Sequence, residues 1–334
     1  MSSFISNFRK RRRLYNFGLI GLIVLFGIAE NRVFRNLDFY GMQPYSFVGQ
    51  LSELEHSFEL MEPERIMAAV FGDSQSIDAL RPDLMEEAAG REAGTMFNFS
   101  ISGGKAYDIY HTYLQYAKQL PSLRDAIIVV NEHQLNSSGI DQDTKFRYYA
   151  GFGDRLRVMN MNNYGELLLG WVSKAYDMRS VWAPMLDKYF EDDLPDPVKW
   201  KLGGIRARTA KAPLTAQNAE DTATRWFENY QLDGLQTDSL EDLLRDLHER
   251  GVRTTLLQIP RSSLFETAVT KLFPKEQQRY FATIEDLARR YEAEFVVMSN
   301  EGLPDDQYFR DTNHLNAKGA AIVSKDVAER WLGK

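Results

Sequence analysis

The amino-acid sequence predicts an α/β protein with a parallel β-sheet that is covered by helices on both faces. Short apolar runs alternate with helical segments over residues 65–134 and 238–334, which is the pattern of a parallel sheet with crossover helices. Several of these runs end in small polar turns, and the carboxyl ends of parallel strands form one edge where ligands collect. A chain of 334 residues, 44% of them hydrophobic, can bury an ample core.

Ten segments carry this alternation. The five predicted strands are Arg65–Phe71, Thr95–Ile101, Ala126–Val130, Val252–Ile259 and Glu294–Met298. The five predicted helices are Ile77–Ala89, Tyr107–Leu120, Asp238–Gly251, Glu276–Tyr291 and Ala317–Leu332.

Two stretches fall outside the alternation. Residues 31–64 are predicted to be a juxtamembrane connector, and residues from about 135 to 237 a large, partly helical insertion that covers or flanks the site. The aromatic residues of the insertion, such as Trp171, Tyr176 and Trp182, have two interpretations. They form either the core of a small helical cap or a surface for a partner or a glycan.

The N-terminus combines a basic cluster, Arg9–Arg13, with an uncharged apolar run, Leu14–Ala29. A cleaved signal peptide, an uncleaved signal anchor and a buried helix are the three possible interpretations. No small-residue cleavage site follows Ala29, which favours the anchor. We therefore expect a single membrane-spanning helix at 14–30, a cytoplasmic segment at 1–13 and an extracytoplasmic remainder, because basic residues stay on the cytoplasmic side.

The composition excludes several function classes. The net charge of −7 disfavours a nucleic-acid partner, since phosphate binding calls for a basic surface. The absence of cysteine excludes disulfides, thiolate metal sites and cysteine nucleophiles. Asp73, Asp311 and His314 are candidate metal ligands in principle, but a typical site has more histidines close together, and no metal or other cofactor is expected.

The polar turns supply the groups of a serine acyl-transfer site. Ser74 follows a strand and begins a helical segment, which exposes its hydroxyl as a nucleophile. His314 is the candidate base, and Asp311 lies three residues before it, close enough to orient the imidazole. The backbone N–H groups of Ser74 and Gly103 and the side-chain amide of Asn131 are the candidate oxyanion donors.

Three further residues beside these turns are candidate substrate contacts: Asp73, Glu132 and His133. Each lies next to a predicted site residue at the same edge of the sheet. Glu132 has an alternative role, because a carboxylate at the start of a helix also stabilises that helix.

These motifs resemble those of the SGNH (GDSL-type) hydrolase superfamily, which has a flavodoxin-like three-layer α/β/α fold. Gly72–Ser76 is similar to its first block, with Ser74 as the nucleophile. The resemblance places its other functional residues at Gly103, Asn131, Asp311 and His314. The third block departs from the family pattern: Val129–Glu132 lacks the glycine of the usual Gly-x-Asn-Asp.

With its N-terminal anchor and long insertion, the chain is most similar to one membrane-anchored subgroup. This subgroup comprises the teichoic-acid D-alanylation protein DltD and the alginate O-acetylation proteins, extracytoplasmic partners of membrane-bound O-acyltransferases. The resemblance implies a serine esterase or acyltransferase that acts on acetyl or D-alanyl esters of a cell-envelope polysaccharide or teichoic-acid-like polymer. The alternative is a catalytically inactive, anchored scaffold of an envelope acylation complex.

Overall fold

Five parallel strands form the central sheet, in the order β2-β1-β3-β4-β5. The computed structural model describes residues 2–43, 46–190 and 213–333, with the backbone alone for 2–14 and 187–190. Part of the predicted insertion, residues 191–212, lies outside the described residues. The strands are β1 Ala68–Phe71, β2 Met96–Asn98, β3 Asp125–Val129, β4 Arg253–Gln258 and β5 Glu294–Val297.

Helices precede, connect and follow the strands of this sheet. In chain order they are α1 Ser2–Ala29, α2 Leu37–Gly41, α3 Gly49–Glu59, α4 Ser74–Ala79, α5 Pro82–Ala88, α6 Ala106–Gln115, α7 Glu132–Leu135, α8 Thr144–Tyr149, α9 Phe152–Val158, α10 Tyr164–Val172, α11 Lys174–Asp177, α12 Arg179–Phe190, α13 Ala216–Trp226, α14 Leu235–Glu249, α15 Ser263–Leu272, α16 Pro274–Arg290, α17 Asp305–Tyr308 and α18 Ala317–Trp331.

The side chains of each central strand alternate between two apolar cores. In β3, Ala126 and Ile128 pack into the core on one face of the sheet, and Ile127 and Val129 pack into the core on the other. The first core contains buried residues of α6, α14 and α16, and the second contains those of α5 and α18. The predicted α/β class, with a parallel sheet and helices on both faces, is confirmed.

The predicted helix at 77–89 is instead two helices, α4 and α5. Leu80 and Arg81 between them are extended, with ψ values of 101° and 112°, and Pro82 is the first residue of α5. Proline disfavours helical backbone at the residue before it and fits the first turn of a new helix. The first of the two helices also starts earlier than expected, at Ser74 itself.

The N-terminal segment is helical and continuous. From Tyr15 to Phe34, 20 residues with a mean hydropathy of 1.7, it is long and apolar enough to cross a membrane. The predicted connector that follows is part of the fold, because Leu37, Tyr40 and Leu51 are buried in the first core.

The insertion is largely helical where the structure describes it, from α8 to α13. Buried side chains including Phe146 and Leu167 form a small core of their own. Trp182 packs against the first core and donates its indole N–H to the Ala175 carbonyl at 2.7 Å, whereas Trp171 is half exposed. The aromatic residues of the insertion are therefore divided between interior and surface.

Candidate active site

Ser74 stands at the junction between β1 and α4. The Asp73 carboxylate caps this helix by accepting the Gln75 backbone N–H at 2.9 Å. Because the N–H groups in the first turn of a helix have no partner within the helix, the Ser74 N–H is available to a ligand. Gly72, just before the turn, has a φ of +157°, and a Cβ there would lie 3.0 Å from the Val129 side chain. Close packing on β3 therefore requires glycine at this position.

Three side chains from two segments 240 residues apart in the chain form a continuous hydrogen-bonded series. Ser74 Oγ lies 2.8 Å from His314 Nε2. On the other side of the imidazole, Nδ1 lies 2.8 Å from Asp311 Oδ1 and 3.0 Å from Oδ2. The side chains of His314 and Asp311 are only 14% and 18% exposed, so water has little access to them. This is the spatial arrangement of a nucleophile, a base and an orienting acid.

Asp311 is fixed by its own loop. Its Oδ1 accepts the backbone N–H groups of Asn313 at 3.1 Å and His314 at 2.8 Å. Burial opposes ionisation of Asp311, but hydrogen bonding and attraction to His314, together with the charge of Arg310, outweigh it and lower the pKa of the carboxyl. The acid is therefore held as a carboxylate, the form that accepts the Nδ1 proton of the imidazole.

Gly103 lies in the turn after β2, the strand beside β1. Its φ is +60°, a left-handed conformation that glycine adopts without strain. A Cβ at this position would lie 3.1 Å from the Phe47 ring. The turn is closed by the N–H of Gly104, which donates to the Ile101 carbonyl at 2.9 Å. The position thus needs glycine for both its conformation and its packing.

Asn131 does not have the position expected of an oxyanion donor. Its amide Nδ2 donates to Asp73 Oδ2 at 2.7 Å and to Gln75 Oε1 at 2.9 Å, and the residue is fully buried. Its Oδ1 accepts the Gln134 backbone N–H at 3.1 Å, which fixes the orientation of the amide. Both N–H groups are therefore committed, and Asn131 instead links the end of β3 to the nucleophile turn.

Gln75 is a site residue that the sequence did not single out. Its Nε2 donates to the Asn313 carbonyl at 2.7 Å, and its Oε1 accepts from Asn131. This buried side chain therefore joins the nucleophile turn, the end of β3 and the loop that carries Asp311 and His314. Its position next to Ser74 was the one available signal in the sequence.

Asp73 and Glu132, two of the candidate substrate contacts, are buried. Asp73 is 3% exposed, and burial raises the pKa of its carboxyl although the Asn131 hydrogen bond opposes this. Glu132 is fully buried and forms a two-pronged ion pair with Arg261, with one contact of 3.2 Å. Since these carboxylates are used inside the protein, the structure assigns them supporting contacts rather than contacts with substrate.

His133 is the half-buried member of this set. Its ring stacks on Trp226, with 5.7 Å between the ring centroids. Burial and the nearby Lys105 and Lys145 cations lower the pKa of His133 to about 3, so the imidazole is neutral near pH 7. Contact between His133 and substrate remains a prediction. Within the described ranges, no group of three or more His, Asp or Glu side chains is placed to hold a metal ion.

Comparison with known proteins gives little sequence similarity. No family model matches the chain, and no curated protein matches it. Among solved structures, the chain is similar to the inhibitor-bound form of an aryl esterase from M. smegmatis. The alignment covers 79% of this chain and 97% of the esterase chain. The sequence identity is 11% and the TM-score is 0.32.

Proposed function

We propose that this chain is a serine esterase or acyltransferase. One observation carries the proposal: Ser74 Oγ, His314 and Asp311 are joined by contacts of 2.8 Å on both sides of the imidazole. A serine hydroxyl is a poor nucleophile unless a base removes its proton, and this base is held in place by the half-buried Asp311 carboxylate. The position of Ser74 at a helix N-terminus adds an N–H donor beside the hydroxyl.

In the proposed mechanism, Ser74 Oγ attacks the carbonyl carbon of an ester or thioester while its proton passes to His314 Nε2. The N–H groups of Ser74 and Gly103 stabilise the negative oxygen that forms. Collapse of this intermediate breaks the bond to the leaving alcohol or thiol, which takes the proton from His314. The acyl group is then bound to Ser74, and Asp311 has stabilised the imidazolium throughout.

In the second half-reaction, a hydroxyl compound gives its proton to His314 and attacks the acyl-serine, and the bond between the acyl carbon and Ser74 Oγ then breaks as Oγ takes the proton back from His314. Water as the acceptor gives an esterase, and a sugar or polyol hydroxyl gives a transferase. We propose acetyl or D-alanyl esters of a cell-envelope polysaccharide or teichoic-acid-like polymer as substrates, with a membrane-bound O-acyltransferase as partner. The apolar helix Tyr15–Phe34 supports this choice, because an anchor there would hold the site beside the envelope.

Fluorophosphonate labelling of the full chain in detergent, with the modified peptide located by mass spectrometry, tests the proposal. We expect an adduct on Ser74 that is absent from Ser74→Ala and His314→Ala. The matched control is His248→Ala, which removes an exposed histidine far along the chain from the site and should label like the wild type. A folded protein that gives no adduct would overturn the proposed activity and favour the anchored scaffold.

A further inference from the structure

Helix α10 exposes an apolar surface to solvent. Its sequence, Tyr164–Val172, contains a single charged residue, Glu166, which pairs with Arg147 and Arg179. Leu167 and Gly170 face the interior and are buried. The other large apolar side chains, which we call the α10 patch, are 39–66% exposed: Tyr164, Leu168, Leu169, Trp171 and Val172. Soluble surfaces rarely expose so continuous an apolar group unless it contacts a membrane or another protein.

The α10 patch lies next to the point where the N-terminal helix enters the fold. Glu30, at the end of that helix, is 5% exposed. Its carboxylate accepts the backbone N–H groups of Lys174 and Ala175 and the Ser173 hydroxyl, the last at 3.2 Å. These three residues directly follow Val172. The first turn of α11 is thereby capped by a residue from the apolar helix.

A shared cavity also links the apolar helix to the α10 patch. Arg35, which follows the apolar helix, lines the same cavity as Trp171, Val172 and Lys174. A bilayer around the exposed apolar part of this helix would therefore end before Glu30, close to the α10 patch. The tryptophan and tyrosine of the patch suit the interface between headgroups and acyl chains, where amphipathic rings accumulate.

We propose that the α10 patch rests in the surface of the lipid bilayer in which the N-terminal helix is anchored. The inference depends on the anchor of the proposed function and goes beyond it, since it gives the insertion a membrane-contacting role. Short apolar helices bind at this depth by inserting one face about 5–10 Å into the boundary between headgroups and acyl chains. The patch then contacts the leaflet in which the C-terminal end of the anchor helix lies.

The absence of cysteine from the chain makes a site-specific test direct. Single-cysteine variants of the full chain, labelled with an environment-sensitive fluorophore, would be placed in lipid nanodiscs without any partner protein. The test position is Leu169→Cys. The control positions are Leu25→Cys in the apolar helix and Ile322→Cys on α18, which are 64% and 46% exposed. Lipids with a nitroxide near the headgroup or near the chain end would quench the fluorophore according to its depth.

We expect the fluorophore at position 169 to have a blue-shifted emission, and the nitroxide near the headgroup to quench it more strongly than the nitroxide near the chain end. The fluorophore at position 322 should not be quenched. Quenching at position 25 without quenching at 169 would overturn the docking surface and leave the anchor intact, and the patch would then fit a protein partner. Absence of quenching at position 25 would overturn both the anchor and this inference. The Ser74 labelling experiment is independent of either result.

Discussion

Glu132 forms a buried ion pair with Arg261, and a substitution at this position can distinguish a structural role for Glu132 from contact with substrate. We consider Glu132→Gln, which keeps the shape of the side chain and removes its charge. Both residues of the pair are fully buried. Arg261 retains a second carboxylate, Glu266, whose Oε1 lies 2.6 Å from Nε. The guanidinium therefore loses one buried carboxylate partner and keeps the other, Glu266.

The expected cost follows from that partial compensation. Removing one partner of a buried pair typically costs about 3–5 kcal/mol, because a desolvated charge loses its counterion. Since Glu266 remains and Gln still accepts a hydrogen bond, we expect the lower limit, about 3 kcal/mol. For a domain of this size, each kcal/mol lowers Tm by about 2–4 °C, which gives a drop of roughly 6–12 °C.

Thermal unfolding followed by near-ultraviolet circular dichroism measures this drop. The matched control is Glu166→Gln, whose side chain is 45% exposed and contacts the exposed Arg179 and the less exposed Arg147. An exposed pair contributes at most about 1 kcal/mol, so its Tm should fall by no more than a few degrees. A Glu132→Gln variant that unfolds within a few degrees of the control would refute the structural role of this ion pair. Loss of Ser74 labelling with an unchanged Tm would instead restore Glu132 as a substrate contact.

Three further outcomes are expected. Asp311→Asn should slow Ser74 labelling by up to about ten-thousand-fold at unchanged circular dichroism, because the imidazole loses its orienting anion; labelling at the wild-type rate would contradict this role. Gly103→Ala should cost about 1–3 kcal/mol in urea unfolding and also reduce labelling, whereas Gly139→Ala, with a φ of +65° and open space around it, should lose stability alone. Because the pKa of His133 is about 3 in the fold and 6.5 ordinarily, the unfolded chain binds more protons between these values. Stability should therefore fall as pH drops from 6.5 towards 3, and His133→Gln should flatten this fall in urea titrations at each pH; equal slopes would show that His133 is not desolvated.

The sequence predicted the sheet well because buried parallel strands are short, apolar and bounded by glycine or polar turns. All five observed strands overlap predicted runs, and β3 begins one residue early, at Asp125. The helix break at Pro82 was also encoded, since proline biases the residue before it away from helix. The periodic spacing of apolar residues on either side concealed that break. The core contribution of residues 31–64 was missed because it depends on long-range packing.

Site residues were predicted by type and position, whereas the direction of each side chain was not. Asn131 follows β3 as expected, yet its amide is directed at Asp73 and Gln75. Glu132 pairs with Arg261, which is 129 residues away in the chain. Neither contact leaves a pattern in local sequence, because each depends on how separate loops meet after the sheet has formed.

The capping of α11 by Glu30 has a mechanical consequence. A catalytic domain on a flexible linker samples a wide volume, and its encounter rate with a target depends on linker length. Here the buried carboxylate of Glu30 bonds the N-terminal helix directly to α11 of the domain, so no flexible linker separates the two. If the proposed anchor spans a bilayer, Ser74 would sit at one height above it and in one orientation, and the proposed acyl ester would have to be delivered to that height. Under this proposal, the distance of an ester from the bilayer, and not affinity alone, would determine whether Ser74 can act on it.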